Sequence, residues 1–412
     1  MKFSKSSQLF LVSSIGLLVA TLLTACSITT IDFVFVATAA GWQSGTDGNI
    51  QTYAVDSQSG ALRPVTTTVS SGGVRPVAMA TTSDYANLYV ANAGSNSITH
   101  FSIGLSGSLT AKDTFPLGDV PVALAVNTAG TYLYVVTGTT SATLTEYSLS
   151  SGTIGSAATP SIALTLSNYP TDIIIPTGVF VLANSSTIPG DGVFVSAYDQ
   201  SAYNPGAPAG TVFSTANPGW VFAFTVGSGG ALTAPATSPY QAGVKPSALV
   251  AEPTNRFLYV TDYASSQLIG YTIMNGNVLN FLANGPFKTG NEPNAIVIDP
   301  RGKFIYLTNA LDNTVSGYDI NLTTGTPTVM VGSTGSQLNA TDSLPVAIAI
   351  DPALGRFIYT ANYLGGTISG FRLEPTAGSL SETQAAPYPT DQEPTAIVVI
   401  PHGNHASQAI AP

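Results

Sequence analysis

The 412 residues predict an all-β chain closed into a ring, a seven-bladed β-propeller with four antiparallel strands per blade. Three observations carry that prediction: one apolar run recurs seven times, its landmarks keep near-constant spacing, and the two chain ends complete each other. A Pro-x-Ala step opens the run at Pro76, Pro121, Pro246, Pro293, Pro345 and Pro394. Pro170 opens a similar run, Asp172 to Ile175, without the alanine. A second run carries an aromatic at Phe35, Tyr89, Tyr134, Tyr259, Tyr306 and Tyr359. A third ends on Tyr53, Phe101, Tyr147, Phe224, Tyr271, Tyr318 and Phe371.

From proline to second-run aromatic the steps are 13, 13, 13, 13 and 14 residues in the five clear copies. The steps from that aromatic to the third-run aromatic are 12, 13, 12, 12 and 12. Two short strands and a tight turn occupy this length. The first turns have turn chemistry, as in Asn127-Thr128-Ala129-Gly130 and Asp299-Pro300-Arg301-Gly302. A fourth strand follows a Gly-x-Leu step at Gly60, Gly107, Gly230 and Gly378. First-strand runs such as Ala295 to Ile298 are apolar throughout, as expected where both faces are covered. The chain begins on a second-type strand, Phe33 to Thr38, and ends on a first-type strand, Pro394 to Ile400. The last strand supplies what the first blade lacks, so the ring closes, whereas an open stack gains nothing from this offset.

Composition narrows the partners. The formal charge is −10, and it becomes more negative if Lys2 and Lys5 are removed with a leader. An acidic surface disfavours nucleic acid and anionic lipid headgroups. A single cysteine cannot staple the fold, so packing alone must hold it.

Residues 1–25 read as an export signal: a basic start, then an apolar stretch from Leu9 to Leu23, too short to span a bilayer. Leu23-Thr24-Ala25-Cys26 resembles the lipobox of bacterial lipoproteins. That resemblance implies cleavage before Cys26, a lipid on its thiol, and a short tether over 26–31. It implies an envelope location, at the outer membrane or facing the periplasm, with the lipid as the membrane contact. The propeller then spans 32–401, and 402–412, with His402 and His405, reads as a flexible tail.

Leu88-Tyr89-Val90-Ala91-Asn92, Leu258-Tyr259-Val260-Thr261-Asp262 and Ile305-Tyr306-Leu307-Thr308-Asn309 resemble the Tyr-Val-Thr-Asn repeat of surface-layer propellers. The Gly-x-Leu step and the run Asn362 to Phe371 resemble lactonase-type propellers, a group that includes 6-phosphogluconolactonases and muconate-cyclising enzymes. The resemblance covers residues 32 to 401 and implies the fold. It implies lactone hydrolysis only where a site supports it, because propellers host unrelated activities.

In the family resembled, catalysis falls to His, Glu and Arg near the central channel. Here no first strand begins with His, and His100 aligns with Gly270, Gly317 and Gly370 on the third strand, away from the axis. No metal-ligand spacing and no cofactor motif appears: Asp47 in the loop after Trp42 is one carboxylate, too few for a cation. The meander places the start of each first strand on the same face as the loop between second and third strands. Arg75, Lys245, Glu292 and Glu393, each just before a proline, therefore ring the channel mouth, with Asp172 nearby. Arg75–Glu393 and Lys245–Glu292 read either as ion pairs between neighbouring blades or as ligand residues. Two insertions are expected on this face: one about 184–219, with Tyr198 and Tyr203, and one containing Trp42. Such aromatics suit recognition of a protein or glycan. The leading expectation is a non-enzymatic envelope lipoprotein that presents the propeller as a binding or scaffold module. The alternative is a lactone hydrolase with a small-molecule lactone at the mouth.

Overall fold

The structure, a computed structural model, describes residues 29–65, 68–139, 141–166, 173–183, 191–200, 218–330 and 338–408. Cys26, Pro170, Asp172 and Tyr203 lie outside them. Seven antiparallel sheets form the blades, numbered 1 to 7 from the N-terminus. Blade 6 shows the pattern: first strand Pro293–Ile298, second Phe304–Asn309, third Thr314–Ile320, and a fourth edge interrupted as Pro327–Val329 and Leu338–Ala340. The first strands of successive blades touch all the way round, which encloses the channel. Blade 1 takes its first strand from the C-terminus: Pro394–Pro401 pairs with Thr30–Thr38, running from Asp32↔Pro401 to Thr38↔Pro394. The predicted closure is therefore observed.

Second strands are buried on both faces. Phe257–Asp262, Phe304–Asn309 and Phe357–Asn362 have no exposed position. Tyrosines on four of the second strands tie their blade to the next. The hydroxyls of Tyr89, Tyr259, Tyr306 and Tyr359 donate to the carbonyls of Gly152, Gly325, Gly378 and Gly60 at 2.6–2.7 Å. Each acceptor lies in the outer hairpin turn of the following blade and has positive φ. At Gly378 (φ +70) a Cβ would stand 2.6 Å from the Phe304 ring, so the glycine is required twice over. The motif's terminal Asn braces its own blade. Asn309 and Asn362 donate to Ser316 and Ser369 of their own third strands, at 2.8 and 2.9 Å.

Blade 4 departs from the repeat. Its first strand is Ile174–Leu182, and its register shift falls between Pro176 and Gly178. The other blades shift at their Pro-x-Ala step, as at Pro246/Ala248. Pro176, not the expected Pro170, is thus the structural counterpart, with glycine replacing the alanine. The Thr177–Ser196 hydroxyl bond of 2.9 Å repeats the Ser247–Thr261 bond of 2.8 Å. The second strand is Gly192–Asp199. The expected single insertion over 184–219 is therefore divided by a strand. The chain leaves at Leu182 and returns at Gly192 on the face away from the mouth, then leaves at Asp199 and returns at Gly219 on the mouth side.

The tail also departs from expectation. Gly403–Ser407 form a 3-10 turn docked beside blade 1, and His405 is buried rather than loose. His402 packs edge-on to Phe33 at 4.8 Å. His100 sits where expected, opposite Tyr89 on the third strand of blade 2. It stacks on that ring at 5.2 Å and contacts Asn87 and Asp113 at 2.9 and 3.1 Å.

Glu146 occupies the same third-strand position in blade 3, opposite Tyr134. It is wholly buried, and neither carboxylate oxygen has a hydrogen-bond partner among the described residues. Burial pushes its carboxyl up to about 7, and the nearby Tyr134 hydroxyl opposes this only in part. The carboxyl group crowds Gly230 of blade 4. Tyr134 therefore faces a carboxylate where the other tyrosines meet a glycine carbonyl.

This packing makes two measurable demands. Tyr306→Phe leaves the Gly378 carbonyl unpaired in a dry interface and is expected to cost about 1–3 kcal/mol in denaturant unfolding. Gly378→Ala is expected to cost more, because it adds strain and a clash to the same interface. For Glu146, the folded state keeps a proton that the unfolded chain releases between pH 4.5 and about 7. Stability contributed here therefore falls as pH rises through that window. Relative to wild type, Glu146→Gln is expected to remove a loss on the order of 2 kcal/mol, read as the difference between the two unfolding-versus-pH curves. Parallel curves would refute the assignment.

Candidate functional site

The channel mouth is built by a backbone device repeated around the ring. The residue before a first-strand proline accepts a hydrogen bond from the residue that leaves the same blade's second strand. Ala93, Tyr263, Ala310, Tyr363 and Ala39 donate to the carbonyls of Arg75, Lys245, Glu292, Leu344 and Glu393 at 2.8–2.9 Å. The shared face predicted for these loops and strand starts is thereby observed. Arg75, Glu292, Leu344 and Glu393 all have φ of +56 to +58. That region disfavours side chains larger than those of Gly or Asn, yet three of the four carry a charge. Strained backbone of this kind concentrates at ligand sites.

Each charged side chain meets an aromatic from the neighbouring blade. The Arg75 guanidinium lies 4.7 Å from the Trp42 ring centre. The Lys245 ammonium lies 5.5 Å from Tyr198 and 4.8 Å from Tyr263. The Tyr263 hydroxyl donates to Glu292 Oε2 at 2.7 Å. Tyr363 lies against Glu393: burial raises its phenol and the Glu393 charge adds to this, while the Trp42 indole N–H and Arg75 oppose it. Burial lowers Lys245, and the Glu292 charge counteracts that. No ion pair joins Arg75 to Glu393 among the described residues, and the contacts just named take the place of the expected clamp.

Two clusters result. Arg75, Trp42, Glu393 and Tyr363 span blades 7, 1 and 2, and Lys245, Tyr198, Tyr263 and Glu292 span blades 4, 5 and 6. They face each other across the mouth. Glu393 Oε2 is buried and has no hydrogen-bond partner among the described residues, so this carboxylate keeps an acceptor free. Trp42 is held by a short 3-10 turn, Trp42–Ser44, between left-handed glycines Gly41 and Gly45. Sequence reasoning found Arg75, Lys245, Glu292, Glu393, Trp42 and Tyr198 but missed Tyr263 and Tyr363. Both directly follow the last residue of a second strand, and the steps Asp262-Tyr263 and Asn362-Tyr363 carried that signal.

Other features lie away from the mouth. A cavity of about 540 Å³ on the opposite face is lined by Arg301, Arg356, Arg372 and Glu374 among others. Arg301 there is already bound to Asp299. Among the described residues, one group has metal-ligand composition: Asp32, Asp351 and His405, at the base of the ring closure. The mouth offers no such group among the described residues.

No curated protein matches the sequence. A candidate 6-phosphogluconolactonase from Bacteroides fragilis superimposes with a TM-score of 0.68 at 17% identity, covering 91% of this chain and 99% of its own. The periplasmic gluconolactonase of Pseudomonas aeruginosa gives 0.67 at 18%, covering 90% and 99%. A candidate 6-phosphogluconolactonase from Bacteroides uniformis gives 0.69 at 17%, covering 90% and 100%. These similarities establish the fold. The model of the family described as lactonase, 7-bladed beta-propeller, matches residues 47–161 and 229–337. The gap between them holds the irregular blade 4. With more than half of its length matched, the chain belongs to the lactonase family of seven-bladed β-propellers.

Proposed function

We propose that this chain is an exported lipoprotein, anchored through Cys26, whose propeller binds a lactone at the channel mouth and hydrolyses it. The observation that carries the reading is the free, buried acceptor of Glu393 beside Arg75. Family membership supports the reaction class. Glu393 takes a proton from a water that attacks the lactone carbonyl. Arg75 donates to the oxygen as it gains negative charge in the tetrahedral intermediate. The ring C–O bond then breaks, and the proton held by Glu393 passes to the departing alkoxide, which yields a hydroxy acid. Across the mouth, Lys245, Tyr263 and Glu292 orient the substrate's polar groups.

The test uses the purified full chain and a panel of sugar and aliphatic lactones, with spontaneous hydrolysis subtracted. Glu393→Gln is expected to lower kcat by about 10²-fold or more. Arg75→Met is expected to lower kcat by a similar factor. Glu292→Gln is expected to raise KM more than it lowers kcat. Turnover untouched by Glu393→Gln would remove that residue from the mechanism.

One observation favours a second reading, a binding module without catalysis. Among the described residues no histidine reaches the mouth: His100 is held between blades and His405 at the closure. Half-buried Trp42 and Tyr198 then act as platforms for a protein or glycan. Lactones that bind competitively without turning over would select this reading over hydrolysis. The anchor is tested separately. Cys26→Ser is expected to move the chain from the membrane fraction to the soluble envelope fraction and to abolish metabolic labelling with a fatty acid. Labelling that persists would disprove the anchor.

A further inference from the structure

The ring closure gathers three metal-ligating side chains that the channel mouth does not use. Asp32 lies on the second strand of blade 1, Asp351 heads the first turn of blade 7, and His405 comes from the turn after the last strand. Asp32 and Asp351 are wholly buried and His405 is 4% exposed. His405 Nε2 stands 3.0 Å from Asp351 Oδ1 and 3.4 Å from Asp32 Oδ1. One ligand atom from each residue falls within 4.8 Å of the others.

Hydrogen bonding leaves this cluster incomplete. Backbone N–H groups of Ala353, Leu354 and Arg356 donate to Asp351. Asp32 receives none, and both its oxygens lack a hydrogen-bond partner among the described residues. A buried carboxyl group in that state either keeps its proton or takes a cation closer than a histidine at 3.4 Å provides. His405 Nδ1 lies 3.0 Å from Gln408 Oε1 and donates its N–H there, while Nε2 faces the two aspartates, donating to Asp351, and is the nitrogen that would give up its proton to an ion.

We propose that Asp32, Asp351 and His405 bind one divalent transition-metal ion of the zinc class, which pins the C-terminal turn across the seam between blades 7 and 1. Two carboxylates and a neutral imidazole match the charge of such an ion. A tetrahedral site with bonds of about 2.0 Å has ligand–ligand edges of about 3.3 Å. The observed separations of 3.0 and 3.4 Å fall on either side of that value. The two oxygens of one carboxylate stand too close together to fill two corners of a tetrahedron, so the three side chains give three donors and a water completes the set. Buried at the ring closure and away from the channel mouth, the ion acts on the fold and not on a substrate.

The test strips the purified full chain with chelator and titrates zinc against a chromophoric competitor. Expected are one tightly held ion per chain and an unfolding midpoint that rises with zinc concentration. Cobalt(II) in its place is expected to show the intense visible absorption of a tetrahedral site. Asp32→Asn keeps the His405–Asp351 contact and so should fold, yet lose the bound ion and the midpoint shift. His405→Ala should lose both as well. If His405→Ala does not fold, Asp32→Asn decides alone. Failure of the wild-type chain to compete for zinc, or unchanged uptake by Asp32→Asn, would overturn the proposal and leave the cluster an ion-pair clasp.

Discussion

The bond from a second-strand tyrosine to the glycine carbonyl of the next blade governs the rest of this molecule. Sheets that pack face to face slide easily, because apolar contact has no direction. A buried hydroxyl aimed at one carbonyl has direction and cannot be given up cheaply. At Tyr259, Tyr306 and Tyr359 the bond recurs with nearly the same length, and a phenylalanine two positions earlier packs under the same glycine. Each of these blades is thereby fixed in angle against its neighbour. Settings repeated with no cumulative error are what a closed ring requires.

That fixed angle is also what gathers the charged side chains at the mouth. Charged residues before the first-strand prolines come from different blades and have no reason to converge unless the ring is rigid. The positive φ values of Arg75, Glu292 and Glu393 are held by hydrogen bonds from the loops that leave the second strands, so strain at the mouth is supported by the sheets behind it. Aromatics from one blade then lie against charges from the next, at Trp42–Arg75 and Tyr198–Lys245 alike. The inter-blade contact that organises the core is repeated at the surface with different chemistry.

The fold was legible because its signals are local and repeated. Tyr306, Gly378 and Asn309 each answer a nearby geometric need that recurs in blade after blade, so spacing alone exposed them. Pro176 escaped because Asp172 to Ile175 imitates a first-strand run and Gly178 replaces the expected alanine. His405 escaped for a different reason. Nothing around it in sequence is apolar or periodic, and its burial depends on Asp32 and Asp351, which the ring closure brings to it from distant parts of the chain. At the mouth, the side chains chosen by sequence come together on one face, but their partners were not legible. Opposite charges on adjacent blades suggest ion pairs, whereas tyrosines one step beyond the second strands reached those charges first.

Blade 4 shows what happens where the governing bond is missing. Phe194 stands at the tyrosine position and has no hydroxyl, while Tyr134 of blade 3 meets Glu146 where a glycine carbonyl should be. Neither side of this blade has the directed contact found at four of the seven blade junctions. The same blade carries both added connections, a register set by Pro-Thr-Gly, and the gap in the family match. These departures belong together. A blade released from the strict hydrogen-bonded setting tolerates insertions that would misalign its neighbours elsewhere, because less of its position is specified by a single bond. The insertion that returns at Gly219 opens beside Tyr198 and Lys245, at the edge of the mouth. Relaxation of the core contact in one blade is thus the structural condition for elaborating the mouth face there, while the latched blades 5 to 7 and the closure at Asp32, Asp351 and His405 hold the ring to its shape.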